Sequence, residues 1–167
     1  MGRRSYGEPI LRGDISNVYI GNFCSIAQNV IMDCGWHHNT NFISTYPFNK
    51  MYEEAKHITS HPKSKGDIHI GSDVWIGEGA VIMSGVIIHS GSVIGARSVV
   101  TRDVSPYSIV AGAPALQIRK RFSRQIIHKL LMIRWWDWEE EKIKENIDLL
   151  MKANIHDFIR KHEKDDF

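Results

Sequence analysis

The chain is poor in cysteine: Cys24 and Cys34 are the only two in 167 residues. Two cysteines cannot form a disulfide framework, and a buried, reduced thiol is expected at Cys24. Long hydrophobic runs are missing as well. No stretch approaches the roughly 18 apolar residues that suggest a membrane span. The opening MGRRSYGEP has no apolar core of a signal peptide, and Tyr6 stands where a myristoylation pattern needs Ser or Thr. The expected location is the cytoplasm. Neither sign of charge dominates: 21 Lys and Arg face 19 Asp and Glu, for a net charge of +2. With no dense basic run, nucleic acid is not an expected partner. No Gly-Lys-Ser/Thr phosphate loop occurs, so nucleoside triphosphate hydrolysis has no support.

What the chain does have is a rhythm. Ile70, Ile76, Ile82, Ile88, Ile94 and Val100 follow one another at intervals of six. Ile20, Ile26 and Met32 repeat the interval nearer the N-terminus. A second layer lies four residues after these positions: Cys24 and Val30, then Val74, Ala80, Val86, Ser92, Ser98 and Val104, all small or β-branched. Glycine often comes directly after the aliphatic, as at Gly21, Gly71, Gly77 and Gly95. A helix repeats every 3.6 residues and a strand every 2, so neither explains a strict six. A short strand plus a sharp corner does. Three such sides close one coil, and the aliphatics stack in columns inside it. The predicted fold is mainly β: a left-handed parallel β-helix, with glycine giving the corners their backbone freedom.

The two blocks are out of step, because the separation of Met32 and Ile70 is not a multiple of six. A loop of about residues 33–66 therefore interrupts the coil. It carries His37, His38, His57 and His61 and the segment STYPF, Ser44–Phe48. Loops this long inside a compact repeat are usually functional or disordered, and the Tyr, Phe and Pro content argues against disorder. His89 is expected at a corner of the coil. After Val104 the rhythm stops. The AGAPA segment, Ala111–Ala115, reads as a turn leading off the coil, and the pattern becomes helical from about Phe122. Phe122, Ile126, Ile127, Leu130 and Leu131 share one helical face; Ile143, Ile147, Leu150 and Met151 share another. Asp137 is expected to cap the second helix, with three glutamates in its first turn. The predicted division is a β-helix over 1–111 and a helical extension over 112–167, the latter read as a cap or oligomer clasp for the open solenoid end.

The motifs together are more specific than the repeat alone. GRRSYGEP, IGNFCSIAQNV, HHNTNFISTYPF, HPKSKGDIHIGSDVWIGEGAVI, IGARSVVTRDVSPYSIVAGAPA and LLMIRWWDW span nearly the whole chain. In these the sequence resembles the hexapeptide-repeat acyltransferases. More narrowly, it resembles the xenobiotic acetyltransferases, which include streptogramin and chloramphenicol acetyltransferases and polysaccharide O-acetyltransferases. The resemblance implies a homotrimer that binds acetyl-coenzyme A (acetyl-CoA) between neighbouring solenoids. Acetyl would pass directly to an acceptor, with no acyl-enzyme and no required metal. The acceptor favoured is a saccharide hydroxyl; an antibiotic hydroxyl is the alternative.

The family's catalytic histidine lies six residues before the serine of the STYPF segment, which is His38 here. Asn41 stands where many relatives carry Asp, and with Tyr46 it is expected on the acceptor side. The resemblance also implies a coenzyme path. Trp75 would pack near the thioester, and Gly77, Gly95, Ala96 and Thr101 would line the pantetheine arm. Arg102 and Arg119 would hold the phosphates. The chemistry agrees with a histidine base, since a protonated alcohol is a poor nucleophile and imidazole titrates near neutrality. His37, His57 and His61 are expected to serve packing or surface roles. Two remote readings remain: a γ-type carbonic anhydrase, which needs three zinc-bound histidines, and a non-catalytic scaffold.

Overall fold

The computed structural model describes residues 1–59, 61–152 and 154–163. It divides into two compact units, Met1–Arg119 and Lys120–Phe167. The first is the left-handed β-helix. Its strands are short because each aliphatic pair is followed at once by a corner. In chain order they are β1 (Ile10–Arg12), β2 (Val18–Ile20), β3 (Ser25–Ile26), β4 (Ile31–Asp33), β5 (Ile68–Ile70), β6 (Trp75–Ile76), β7 (Val81–Met83), β8 (Ile87–Ile88), β9 (Val93–Ile94), β10 (Val99–Val100), β11 (Ser108–Gly112) and β12 (Ala115–Lys120).

Three walls result. The first is ordered β2-β5-β8, the second β12-β11-β9-β6-β3, and the third β1-β4-β7-β10. Parallel partners on successive turns are three repeats apart, as in Ile70 with Ile88, Ile76 with Ile94 and Ile82 with Val100. Across the interruption, Ile20 pairs with Ile70, Ile26 with Ile76 and Met32 with Ile82. The inserted loop accounts for the extra chain between these partners, and the register resumes beyond it without a slip. The columns are buried as the period requires: Met32, Ile76, Ile82 and Ile88 are fully inaccessible. The second layer is equally dry, with Cys24, Val30, Ala80, Ser92 and Ser98 also fully inaccessible. Its two serines keep partners. Ser92 donates to the Ser105 carbonyl at 3.2 Å, and Ser98 accepts from the Gly112 N–H at 3.2 Å.

Several details differ from the sequence expectation. The left-handed corner residue falls three positions after the wall aliphatic, not one. Phe23, Asn29, Asp73, Gly79, Gly85, Gly91 and Arg97 all have positive φ, between 56° and 77°. Glycine directly after the aliphatic serves close approach instead. A Cβ on Gly71 would sit 2.6 Å from the Ser90 backbone nitrogen, and one on Gly77 would sit 2.6 Å from that of Ala96. Val104 also leaves the second layer and joins the wall, bridging to Ile88 after less than a full turn. The last coil is thereby shortened, and Val110 meets Ile94 with the same offset. The AGAPA segment does not lead off the coil: Ala111 and Gly112 end β11, and Ala115 opens β12, which continues the second wall to Lys120.

The second unit is helical. It contains α2 (Arg124–Ile133), α3 (Glu140–Leu150) and α4 (Ile155–His162); α1 belongs to the loop of the first unit and is Phe48–Met51. Ser123 caps α2 by accepting from the Ile126 N–H. Asp137 does not cap α3. It ends a 3-10 turn and pairs with Arg134 at 2.7 Å, while Glu139 takes the cap position. Trp138 packs 4.6 Å from His162 and 5.9 Å from Phe158, with Lys142 above its ring at 4.5 Å. Among the described residues no helix is long and apolar enough to cross a membrane.

Candidate active site

The loop leaves the solenoid after β4. Asp33 is in register with Met83, and Thr101 follows Val100 one turn further along the same edge. Gly35 (φ 130°) and Trp36 (φ 72°) turn the chain outward. Several contacts hold its two ends, to each other and to the N-terminal coil. The Trp36 indole donates to Asp14 at 2.8 Å, and the hydroxyls of Ser16 and Ser64 are bonded. The backbones of His37 and Lys63 form an antiparallel bridge with two bonds of 2.9 Å. The His37 ring faces the wall, with Nε2 3.0 Å from the Ser84 hydroxyl and 3.8 Å from Asp33.

His38 is oriented differently. Its side chain is exposed, and Nδ1 lies 2.6 Å from the carbonyl oxygen of Thr45. A carbonyl can only accept, so Nδ1 carries a proton, and in the neutral imidazole Nε2 then keeps its lone pair. That is the tautomer a general base needs. The His61 ring packs edge to face against it, with centroids 5.0 Å apart and planes at 79°. Tyr46, Phe48 and Tyr52 form an aromatic series in the same loop, with centroids 5.0 and 5.6 Å apart. Tyr46 is 48% exposed. Asn41 is exposed too, its N–H donating to the Asn39 side chain at 3.1 Å. His57 is exposed, and His89 lies just past β8 at a corner.

The expected coenzyme residues fall in two places. Thr101 and Arg102 are exposed on the edge from which the loop departs. Trp75 stands 58% exposed on the outer face of the second wall, and Arg119 is exposed on β12 of that same wall. Gly77, Gly95 and Ala96 lie at the corner between the second and third walls. The full width of the third wall separates that corner from the loop, so one chain does not bring the two groups together.

Groups assigned no part in the site from the sequence complete the surroundings of His38: the Thr45 carbonyl, Asn39 and the ring of His61. His61 was visible only as one more loop histidine, since nothing in its spacing ties it to His38. The two cysteines are free, and burial pushes both thiols above their ordinary range. Among the described residues no group of three or more His, Cys, Asp or Glu side chains is placed to hold a metal ion.

Comparison with known proteins fits this geometry. Residues 67–102 match the family model described as bacterial transferase hexapeptide (six repeats). A chloramphenicol acetyltransferase of Escherichia coli is 44% identical over 155 residues, which cover 90% of this chain and 73% of that one. A probable macrolide acetyltransferase of Lysinibacillus sphaericus is 43% identical, covering 88% and 84%. Among solved structures, the polySia-specific acetyltransferase NeuO is 32% identical with a TM-score of 0.51, covering 74% of this chain and 53% of that chain. AntD, an N-acyltransferase from Bacillus cereus, shares the fold at 18% identity and a TM-score of 0.51, covering 78% and 65%. The six-residue columns, the loop at the third-wall edge and the identity to acetyltransferases across most of the chain lead to one assignment: this protein is an acetyltransferase of the hexapeptide-repeat transferase family.

Proposed function

We propose that the protein transfers acetyl from acetyl-CoA to a hydroxyl of a small acceptor, a saccharide, with His38 as general base. The observation that carries this reading is the His38–Thr45 hydrogen bond, which leaves Nε2 as the free, basic nitrogen on an exposed ring. In the reaction, His38 Nε2 takes the acceptor hydroxyl proton as its oxygen attacks the thioester carbonyl. The tetrahedral intermediate then expels the thiolate, and His38 returns the proton to sulfur. No enzyme side chain is acylated, and no metal is called for.

Saccharide rings suit the loop, because Tyr46, Phe48 and Tyr52 offer aromatic faces and Asn41 offers amide donors and acceptors. The antibiotic alternative is favoured by the names of the chloramphenicol and macrolide relatives. Coenzyme A thiol release, measured over a panel of sugars, chloramphenicol, a macrolide and a streptogramin, separates the two. Turnover of an antibiotic but no sugar would overturn the saccharide reading.

The proposed assembly is a cytoplasmic homotrimer. In it the loop edge of one copy would face the second wall of another, so that His38, Thr101 and Arg102 meet Trp75, Gly77, Gly95, Ala96 and Arg119 across the interface. The separation of these groups within one chain supports it, as does the fact that a solenoid wall is no pocket by itself. The helical unit would then serve as a clasp. Sedimentation equilibrium that finds only the 19.1 kDa species at assay concentration would sink the shared site.

A further inference from the structure

From Trp36 to Gly66, the described residues that are buried are Asn39 and His61. Both are polar, and they are bonded to each other: the Asn39 N–H donates to His61 Nδ1 at 3.0 Å. An imidazole whose Nδ1 accepts carries its proton on Nε2. His61 Nε2 is buried and has no hydrogen-bond partner among the described residues. The residue is also held from behind, since the Asn49 amide donates to its carbonyl at 2.5 Å and to that of Ile58 at 2.7 Å. Burying an N–H without an acceptor is costly, and a leucine or phenylalanine would pack the same space without that cost. A histidine kept only as filler is therefore a poor account of this position.

We infer that His61 is a positioning residue for His38. Two contacts set the orientation of the His38 ring: the Thr45 carbonyl on Nδ1 and the edge-to-face contact with His61. His61 acts through both ends of its ring. One end bonds the N–H of Asn39, the residue next to His38, and so fixes the backbone that carries the base. The ring itself blocks the rotation that would let His38 leave Thr45. Phe42 packs against His61 as well, with ring centroids 6.0 Å apart. The inference rests on the assignment of His38 as base, but its structural test does not depend on activity.

The test uses full-length protein labelled with 15N-histidine, as parent and as His61→Ala, His61→Phe and His61→Asn. Long-range 1H–15N correlations report which nitrogen of His38 carries the proton. In the parent it is Nδ1. In His61→Ala the signal should average between tautomers while the rest of the spectrum is kept. Turnover number should fall about 10- to 100-fold in His61→Ala, the scale of a misplaced catalytic group, with KM for acetyl-CoA within about twofold. His61→Phe restores the ring and His61→Asn the acceptor, so each should recover part of the loss. An unchanged His38 tautomer in folded His61→Ala would overturn the inference. So would an undiminished turnover number, or a defect confined to KM. If His38→Ala itself keeps full activity, the base assignment fails instead, and the tautomer measurement still reports on the His61 contact.

Discussion

Between Ile68 and Val110 each turn of the solenoid buries an aliphatic column and a second small-residue layer beneath it. In the loop between Trp36 and His57, Phe42, Ile43, Tyr46, Phe48, Met51 and Tyr52 are all exposed, Ile43 completely. The wall is held by apolar area, the loop by a handful of hydrogen bonds and ring contacts. These interactions fail differently. Deleting atoms from a packed column leaves a cavity that neighbours cannot fill. Deleting one member of the loop's network removes orientation while leaving the fold in place. Stability and catalysis should therefore separate cleanly along the chain.

The largest expected effect tests that separation from the loop side. His38→Ala should lower the turnover number about 10²–10⁴-fold, the range for losing a positioned base. Its thermal midpoint should stay at the parent value. His37→Ala should cost within about tenfold, the scale of one hydrogen bond, because its ring is bonded to Ser84 on the wall. Thiol release at saturating acceptor measures both. Loss in His37→Ala with retention in His38→Ala would mean that the neighbouring imidazole is the base.

From the wall side, Ile76→Ala should destabilise by about 2–5 kcal/mol, the range for emptying a packed core position. Ile76 is fully buried and in register with both Ile26 and Ile94. Below its lowered midpoint the variant should turn over at the parent rate. A rate defect at full folding would show that wall and loop are coupled more tightly than their contacts suggest.

Arg102→Ala and Arg119→Ala should each raise KM for acetyl-CoA about 5- to 150-fold, for roughly 1–3 kcal/mol per charged contact to phosphate. Turnover number should change little. If both variants bind coenzyme A as the parent does, the phosphates lie elsewhere.

The smallest effect concerns Cys24. Burial raises its thiol pKa, so the folded state holds the neutral thiol after the unfolded chain has begun to ionise. Its contribution is intact below the ordinary thiol value of about 8.5 and is lost as pH rises from there through the folded value. Cys24→Val, matching Val30 and Val74 in the same layer, should be near neutral at pH 7. It should also flatten the alkaline decline of the melting temperature. An unchanged decline would assign it to other groups.

The columns were legible because a period of six leaves few alternatives once Ile70 to Val100 are aligned. The role of glycine was legible only in part. Gly71 and Gly77 were visible, but their purpose was not, since a corner's φ and a neighbouring turn's distance leave the same residue in the sequence. Phe23 and Arg97 adopt the left-handed conformation with no compositional sign of it. The shortened last coil that moves Val104 into the wall, the displacement of Asp137 from the helix cap and the helix α4 were likewise set by packing rather than by local pattern. Within the candidate site, His38 could be counted from Ser44. Its partners could not, because a backbone carbonyl like that of Thr45 is common to every residue type and His61 reaches His38 only through the folded loop.

The paired ends of the loop have a consequence for how its length can change. With His37 bridged to Lys63, and Ser64 anchored to Ser16 of the N-terminal coil, the span between is a ring already closed on the rim of a rigid cylinder. Lengthening such a ring is cheap: each doubling adds only about 0.6 kcal/mol of closure entropy. Insertions or exchanges near Met51–Lys56, far along the chain from the bridged ends, would reshape the surface offered to an acceptor without disturbing a single wall pairing. A chimaera carrying a relative's segment between Lys50 and His57, which leaves Asn49 and its bonds to Ile58 and His61 in place, should therefore fold with the parent's melting temperature while changing which hydroxyl it acetylates.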